Sequence, residues 1–148
     1  MPLPAVTSAG DLPSGVHTCG LDELLERFGT GSAQRRLVAL RLVRVVNLAI
    51  AAGGVTRIVV FGSFVTAKKD PNDVDIFLVM DDAFDVSGVA GEARLVFDHL
   101  SAQPHFGASV FWARRASCFP SEAEMVSGWG LKRDGTSRGI VELLVELP

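Results

Sequence analysis

Residues 57–80, RIVVFGSFVTAKKDPNDVDIFLVM, contain two apolar runs that are joined by a polar loop. Gly62 and Ser63 follow the first run, and Asp73 and Asp75 stand at the start of the second. A carboxylate in a half-buried strand loses its hydration, which costs free energy unless a positive charge neutralises it. The pattern therefore predicts two strands, with a cation beside the two aspartates.

Asp73 and Asp75 are expected to lie on one face of the second strand, because residues two apart in a strand point the same way. Paired carboxylates are suitable ligands for Mg²⁺ or Mn²⁺, and two such ions can hold a triphosphate and stabilise a leaving pyrophosphate. Gly62 lets the backbone approach a phosphate closely, and the Ser63 hydroxyl can donate a hydrogen bond to it. Phosphate donors and metal ligands are thus expected to converge.

The composition is that of one compact domain without a strong overall charge. The chain has 148 residues, of which 48% are apolar, and a domain of this size buries roughly 70% of the surface of its unfolded chain. Its 14 Lys and Arg against 17 Asp and Glu give a net charge of -3, which provides no general attraction to nucleic acid or to an anionic membrane. A nucleotide contact must therefore be local, and nucleic acid binding is not indicated by charge.

Three observations favour a cytoplasmic protein without membrane association. The N-terminus, MPLPAVTSAGDLP, lacks the basic start and the unbroken apolar stretch of a signal peptide. The most apolar segment, residues 37–52, is 16 residues long and contains two arginines, whereas a bilayer span needs about 20 mostly uncharged residues. Cys19 and Cys118 have no Cys or His at metal-ligand spacing, which argues against zinc and leaves reduced thiols as the expectation.

Apolar spacing and turn residues predict the other elements. The predicted helices are Leu21–Phe28, a long and mostly buried helix from the Ser32 cap to Gly53, and residues 89–100 and 122–127. The predicted strands are residues 58–61, Val74–Met80 and residues 107–114. The ending RGIVELLVELP is ambiguous between strand and helix, and a strand from near Gly139 is favoured.

The chain divides into an arm and a folded domain. Residues 1–20 contain three prolines and three glycines, which predicts an extended N-terminal arm that packs on the body or on a partner. Residues 21–148 are expected to form the domain. Its order of helix, strand, strand, helix and strand is typical of an α+β domain with α/β-like alternation.

The segment from Phe61 to Ile76 resembles the signature of the nucleotidyltransferase superfamily related to polymerase beta. That signature is an apolar residue, Gly, Gly or Ser, a gap of about nine to thirteen residues, then Asp, an apolar residue, Asp or Glu, and an apolar residue. Here it consists of FGS, nine residues, and DVDI. The wider chain resembles a small, functionally unassigned bacterial group of minimal type through LPSGVH, ERFGT, GSFVTAKKDPNDVD and KRDGTSRGIVE.

The resemblance implies a nucleotidyltransferase fold, with a mixed sheet flanked by helices. It implies transfer of a nucleoside monophosphate from a nucleoside triphosphate to an acceptor that the sequence does not identify. Asp73 and Asp75 would then be the catalytic metal ligands, with Mg²⁺ or Mn²⁺ as the cofactor. Gly62 and Ser63 would form the loop that binds the triphosphate.

Two basic clusters have alternative interpretations. Lys132, Arg133 and Arg138, beside Trp129, either bind phosphates and stack a base or form a solvated loop with one core tryptophan. The four arginines of the long helix are expected to form its solvated edge, because no aromatic residues alternate with them. These are Arg35, Arg36, Arg41 and Arg44.

One part of the superfamily pattern is missing. A third carboxylate usually lies on a later strand, where it helps to deprotonate the attacking hydroxyl. The strand predicted at 107–114 has none and presents Ser109 and Phe111 instead, and the nearest acidic residues are Asp98 and Glu142.

Two hypotheses follow from this difference. The first is a metal-dependent nucleotidyltransferase. The second is a catalytically degenerate nucleotide-binding or interaction module, for example of a toxin-antitoxin or phage-defence pair, which acts with a helical protein partner or as a homo-oligomer.

Overall fold

The computed structural model describes residues 2–145, and the last three residues of the predicted domain, 146–148, lie outside them. Within the described range the chain forms five strands and five α-helices. The strands are β1 (Val16–Gly20), β2 (Val55–Phe61), β3 (Val74–Met80), β4 (Ala108–Arg114) and β5 (Ile140–Leu144). The helices are α1 (Leu21–Phe28), α2 (Ala33–Ala52), α3 (Ala93–Val96), α4 (His99–Phe106) and α5 (Glu122–Gly128).

The strands form one mixed sheet in the order β1-β5-β2-β3-β4. β2 runs antiparallel to both of its neighbours, β3 and β5, whereas β1 pairs with β5, and β3 with β4, in parallel. The expected α+β class and the mixed sheet flanked by helices are therefore confirmed. The favoured strand near Gly139 is also confirmed, as β5.

The two faces of β3 differ in what covers them. Val74, Ile76, Leu78 and Met80 are fully buried in the main core, which also contains the buried face of α2. The opposite face carries Asp73 and Asp75 at its start, and Phe77 and Val79 pack further along against Val126 of α5. The alternation expected for a strand is thus present, with one wholly apolar face and one that is charged at one end.

The long helix α2 has the boundaries that its turn residues predict. The Ser32 hydroxyl accepts a hydrogen bond from the Arg35 amide at 3.1 Å, and the helix ends at Gly53, whose φ is 79°. The predicted cap at Ser121 is confirmed as well, since its hydroxyl accepts a hydrogen bond from the Glu124 amide at 3.1 Å. The Glu124 carboxylate accepts from the Ser121 hydroxyl at 3.3 Å and not from the Ser121 amide, so only the serine half of the predicted capping box forms. No helix within residues 2–145 is both long enough and apolar enough to cross a membrane.

The helix predicted at 89–100 is wrong. The chain instead forms the short α3, leaves helical geometry at Asp98 (φ -114°, ψ 101°), and begins the new helix α4 at His99. The Trp112 indole donates to the Phe97 carbonyl at 2.8 Å. A contact from a distant strand therefore occupies the carbonyl that a continuous helix would use, and local periodicity does not reveal it.

The N-terminal segment packs on the body of the protein. Leu3 and Leu12 are buried in the main core, and residues 16–20 form the edge strand β1 rather than a free arm. Thr66 and Asp11 form an isolated antiparallel bridge, and the Ala67 amide donates to the Gly10 carbonyl at 2.8 Å. Residues 10 and 11 thus lie against the loop that joins β2 to β3.

Candidate functional site

Gly62 and Asp75 are in direct contact at the end of the central strands. Phe61, the last residue of β2, pairs with Asp75 of β3, and Gly62 follows with φ 80° and ψ -163°. A Cβ atom at position 62 would lie 1.9 Å from Asp75 Oδ2. Glycine is therefore required twice, for the positive φ and for the space that the carboxylate occupies.

Asp73 and Asp75 lie side by side, as the strand geometry predicts. Asp75 pairs with Ser109 across the β3–β4 register. The Ser109 hydroxyl donates to Asp73 Oδ2 at 3.2 Å, and the Gln103 side-chain amide donates to the same oxygen at 3.1 Å. Neutral donors thus hold Asp73 in place without cancelling its charge.

Burial dominates the electrostatics of Asp75. It raises the pKa of Asp75 to about 6, and the negative charge of Asp73 adds to this increase. The charge of Arg138 and the adjacent Ser109 hydroxyl act in the opposite direction and lower the pKa, but they do not compensate. A divalent cation beside both carboxylates would favour their charged forms.

A cleft of about 730 Å³ opens beside Asp75. It brings together residues from the loop after β2, from β3 and β4, and from the segment after α5. Its lining consists of Phe61, Gly62, Asp75, Phe111, Gly128, Trp129, Leu131, Lys132, Arg133 and Arg138. Four of the six predicted site residues, Gly62, Asp75, Lys132 and Arg133, therefore line one cleft, while Asp73 and Ser63 adjoin it through their neighbours.

The basic residues are carried by a hairpin formed by residues 131–137. Leu131 and Ser137 form an antiparallel bridge, and the Lys132 amide donates to the Thr136 carbonyl at 2.8 Å. The base of the hairpin is closed by the Arg138 amide, which donates to the Gly130 carbonyl at 2.9 Å. This closure brings Lys132 and Arg138 to the same side of the cleft.

Asp11 pairs with both of these cations. Its carboxylate lies 3.2 Å from Lys132 Nζ and 3.9 Å from Arg138 Nη1. The sequence interpretation missed Asp11, because a single acidic residue in a segment rich in Pro and Gly carries no signal of a contact more than a hundred positions away. The N-terminal segment thus contributes the anion nearest to the basic side of the cleft.

Trp129 packs among aromatic side chains and also borders the cleft. Its ring packs against Phe61 and Phe111, with centroid distances of 4.7 and 4.8 Å, and against Phe77 at 5.1 Å. The same residue lines the cleft, and its indole nitrogen is buried without a hydrogen-bond partner among residues 2–145. Trp129 is therefore mainly a packing residue that presents part of its surface to the cleft.

Neither Asp98 nor Glu142 supplies a third carboxylate. Asp98 accepts a hydrogen bond from the Ser101 hydroxyl at 2.9 Å. Glu142 is paired with Arg57, whose Nη2 lies 2.5 Å from it, four positions before the end of β2. Within residues 2–145, no three acidic, histidine or cysteine side chains gather into a metal-binding group.

Two carboxylates still match the way in which proteins bind Mg²⁺. This ion commonly takes one or two carboxylates and completes its coordination with water and substrate phosphates. Asp73 and Asp75 fit that arrangement, provided that a phosphate ligand accompanies the ion.

The arginines of α2 differ from the expected solvated edge. Arg36 and Arg44 are exposed, as predicted. Arg35 is buried, with 8% of its surface exposed, so the prediction is wrong for this residue. Arg41 is half-buried and donates to the Asn72 carbonyl at 3.1 Å.

Comparison with known proteins gives a family without an assigned function. Residues 4–144 match the sequence model of DUF6932, which is described as a family of unknown function. The chain belongs to this family. The matched range of DUF6932 includes Asp11, both halves of the Gly62–Asp75 motif, and the hairpin with Lys132. Neither the curated proteins nor the solved structures gave a match.

Proposed function

We propose that this DUF6932 protein has a nucleotidyltransferase-type fold and uses Mg²⁺ or Mn²⁺ to transfer a nucleoside monophosphate from a nucleoside triphosphate to an acceptor. The observation that carries the proposal is the close contact between Gly62 and Asp75, which requires glycine beside a pair of carboxylates. Lys132 and Arg138 approach the same cleft from the opposite side. Metal ligands and phosphate-binding groups therefore surround one space.

Each group has a defined task in this proposal. Asp73 and Asp75 hold the divalent ions, which would neutralise the triphosphate and stabilise the leaving pyrophosphate when bound. Gly62 leaves room for a phosphate beside the backbone, and Ser63 donates a hydrogen bond to it. Lys132 and Arg138 supply positive charge to the outer phosphates.

The absence of a third carboxylate from the site, among residues 2–145, supports a second candidate function. Ser109 occupies the strand position opposite Asp75, and a hydroxyl does not act as a general base without a partner that accepts its proton. A protein of this kind would bind a metal–nucleotide complex without transferring the nucleotide. It would then act as a regulatory or interaction module, with a protein partner that covers or completes the site.

One experiment distinguishes the two functions. The protein is incubated with each of the four α-³²P-labelled ribonucleoside triphosphates, with Mg²⁺ or Mn²⁺, a lysate as the acceptor source, and the Asp73→Asn/Asp75→Asn variant in parallel. The matched control is Asp81→Asn/Asp82→Asn, which removes the same charge from the exposed residues after the other end of β3. Calorimetry with the same triphosphates measures binding.

Each outcome of the transfer and binding measurements supports one of the two functions or contradicts both. Label transfer that is lost only in the Asp73/Asp75 variant supports the enzyme. Metal-dependent binding that is lost in that variant, without transfer, supports the binding module. Binding that is unchanged in the variant, or absent from the wild type, contradicts both.

A further inference from the structure

Arg35 of α2 has four hydrogen bonds to backbone carbonyls. Its Nη1 donates to Phe28 at 2.9 Å and to Phe64 at 3.0 Å. Its Nη2 donates to Thr66 at 2.7 Å and to Lys68. Phe64, Thr66 and Lys68 are alternate residues of the loop between β2 and β3. A single guanidinium therefore binds three carbonyls along the loop that begins at Gly62.

This arginine is buried without an ion-pair partner among the described residues. Burial lowers the pKa of the Arg35 guanidinium, and only the charge of Asp70 opposes this effect. A buried charge that is not paired with a carboxylate is costly unless it is hydrogen-bonded. An apolar residue in the same space would leave the carbonyls that Arg35 binds without their donors, so the carbonyl contacts account for an arginine here.

The contacts of Arg35 extend to Ser63 through Thr66. The amide and the hydroxyl of Thr66 both donate to the Ser63 carbonyl, at 3.2 and 2.7 Å. The Val65 amide donates to the Gly62 carbonyl at 3.3 Å. Because Arg35 holds the Thr66 carbonyl, it determines the position from which Thr66 holds Ser63.

The same helix also holds the other end of the loop. The Gln34 side chain donates to the Pro71 carbonyl at 3.0 Å, and Arg41 donates to the Asn72 carbonyl at 3.1 Å. Asn72 immediately precedes Asp73. Side chains of α2 thus hold both ends of the nine-residue segment between Ser63 and Asp73. Because both ends are held by the same helix, the distance between the two halves of the motif is fixed.

We propose that Arg35 is a positioning residue that holds the Gly62–Ser63 turn against Asp73 and Asp75. The part of this inference that concerns nucleotide binding rests on the proposed function. Arg35 itself does not contact the nucleotide. Its effect is transmitted through the loop backbone, as with groups that orient the ligands of a metal site.

The test uses Arg35→Lys, which keeps the charge but cannot span four carbonyls, with Arg36→Lys on the exposed side of α2 as its matched control. Hydrogen–deuterium exchange measures the amides of residues 63–68 and, separately, those of β2 and β3. Calorimetry measures Mg²⁺-dependent ATP binding. We expect exchange in the loop to become about tenfold faster and affinity to fall about 10- to 100-fold, with the strands unchanged.

A second variant applies if Arg35→Lys does not fold. Thr66→Val removes the hydroxyl that holds Ser63 and leaves the buried arginine in place. Its matched control is Thr56→Val, which removes a hydroxyl bond of 3.0 Å to the Val79 carbonyl at the far end of the sheet. Thr66→Val should increase exchange at the Val65 and Thr66 amides, which donate to the Gly62 and Ser63 carbonyls, and should weaken ATP binding, and Thr56→Val should do neither.

Hydrogen–deuterium exchange tests the positioning role of Arg35 independently of the proposed function. If the wild type binds no triphosphate, the proposed function fails, and faster loop exchange in Arg35→Lys still supports the positioning role. Unchanged loop exchange in the folded Arg35→Lys protein overturns it. Wild-type affinity despite a loosened loop also overturns it, and so does wild-type behaviour of Thr66→Val where Arg35→Lys does not fold.

Discussion

Two loops line the cleft, and they are held in different ways. The loop of residues 62–72 is anchored by the fully buried side chains of Phe64 and Val65, and Arg35 binds its carbonyls. The hairpin of residues 131–137 is mostly exposed, and its cleft-facing Lys132 is paired with Asp11. The Gly62–Ser63 side of the cleft is therefore preorganised, whereas the basic side depends on ion pairs that water and salt weaken.

This difference matches the tasks in the proposed function. Metal-assisted transfer needs ligands within a few tenths of an ångström of their working positions, which only buried and hydrogen-bonded segments provide. Phosphate attraction tolerates movement, because charge acts over several ångströms. The following variants compare the two loops directly.

The largest effect is expected for Gly62→Ala, with Gly135→Ala as the matched variant in the hairpin. Both glycines have positive φ, 80° and 86°, but the new Cβ atom lies 1.9 Å from Asp75 Oδ2 at position 62 and meets nothing within 4 Å at position 135. We expect Gly62→Ala to cost about 3 kcal/mol or more, and Gly135→Ala about 1 kcal/mol.

Urea unfolding measures both values, and ATP binding should be lost only in Gly62→Ala. Equal costs at the two positions would contradict the assignment of the clash with Asp75, because both glycines have positive φ and only position 62 has an atom in the way of a Cβ.

A smaller effect of opposite sign is expected for Asp75→Asn in the absence of divalent cations. The pKa of Asp75 is raised to about 6 in the folded protein, so the unfolded chain releases this proton at lower pH than the folded protein. Stability of the wild type therefore falls as pH rises from about 4 to 6. The variant has no carboxyl group at position 75 and does not lose stability in this way. Above pH 6 its free energy of unfolding should therefore exceed that of the wild type by on the order of 1 kcal/mol.

Asp134→Asn in the hairpin is the comparison. Hydrogen bonds from the Thr136 hydroxyl and amide lower the pKa of Asp134, so its contribution to stability is present at neutral pH and is lost as pH falls through the folded pKa. Chemical unfolding from about pH 2 to 8 should give opposite trends for the two variants, with the change for Asp134→Asn at the acid end of this range. A stability gap for Asp75→Asn that does not change with pH would refute the assigned shift.

The smallest effect is expected for Asp11→Asn, which releases Lys132 and Arg138 from their ion pairs. A partly exposed pair contributes up to about 1 kcal/mol, so affinity for inorganic tripolyphosphate should rise by up to about fivefold at low salt. The gain should shrink at 0.5 M NaCl, because salt screens both interactions.

Asp22→Asn, on the exposed side of α1, controls for the change in net charge. Equal gains in the two variants would show that total charge, and not the contact with Asp11, determines binding by the hairpin.

Local signals predicted the elements that depend on neighbours in sequence. The alternation in Val74–Met80, the Ser32 and Ser121 caps, and the break at Gly53 each depend on residues a few positions apart. The helix expected at 89–100 was wrong, and the carbonyl of Phe97, where the chain leaves helical geometry, accepts from Trp112 on a strand that follows later. Periodicity reports which face is apolar, and it does not report a hydrogen bond from a distant side chain.

The sequence by itself determined the two strands of the motif and the adjacency of Asp73 and Asp75, because strand geometry is a local property. Only the tertiary structure decided that Asp11 meets Lys132 and that Arg35 is buried beneath the motif loop. Both depend on segments far apart in the chain being brought together, and the free energy of such contacts arises from the packing of the whole domain.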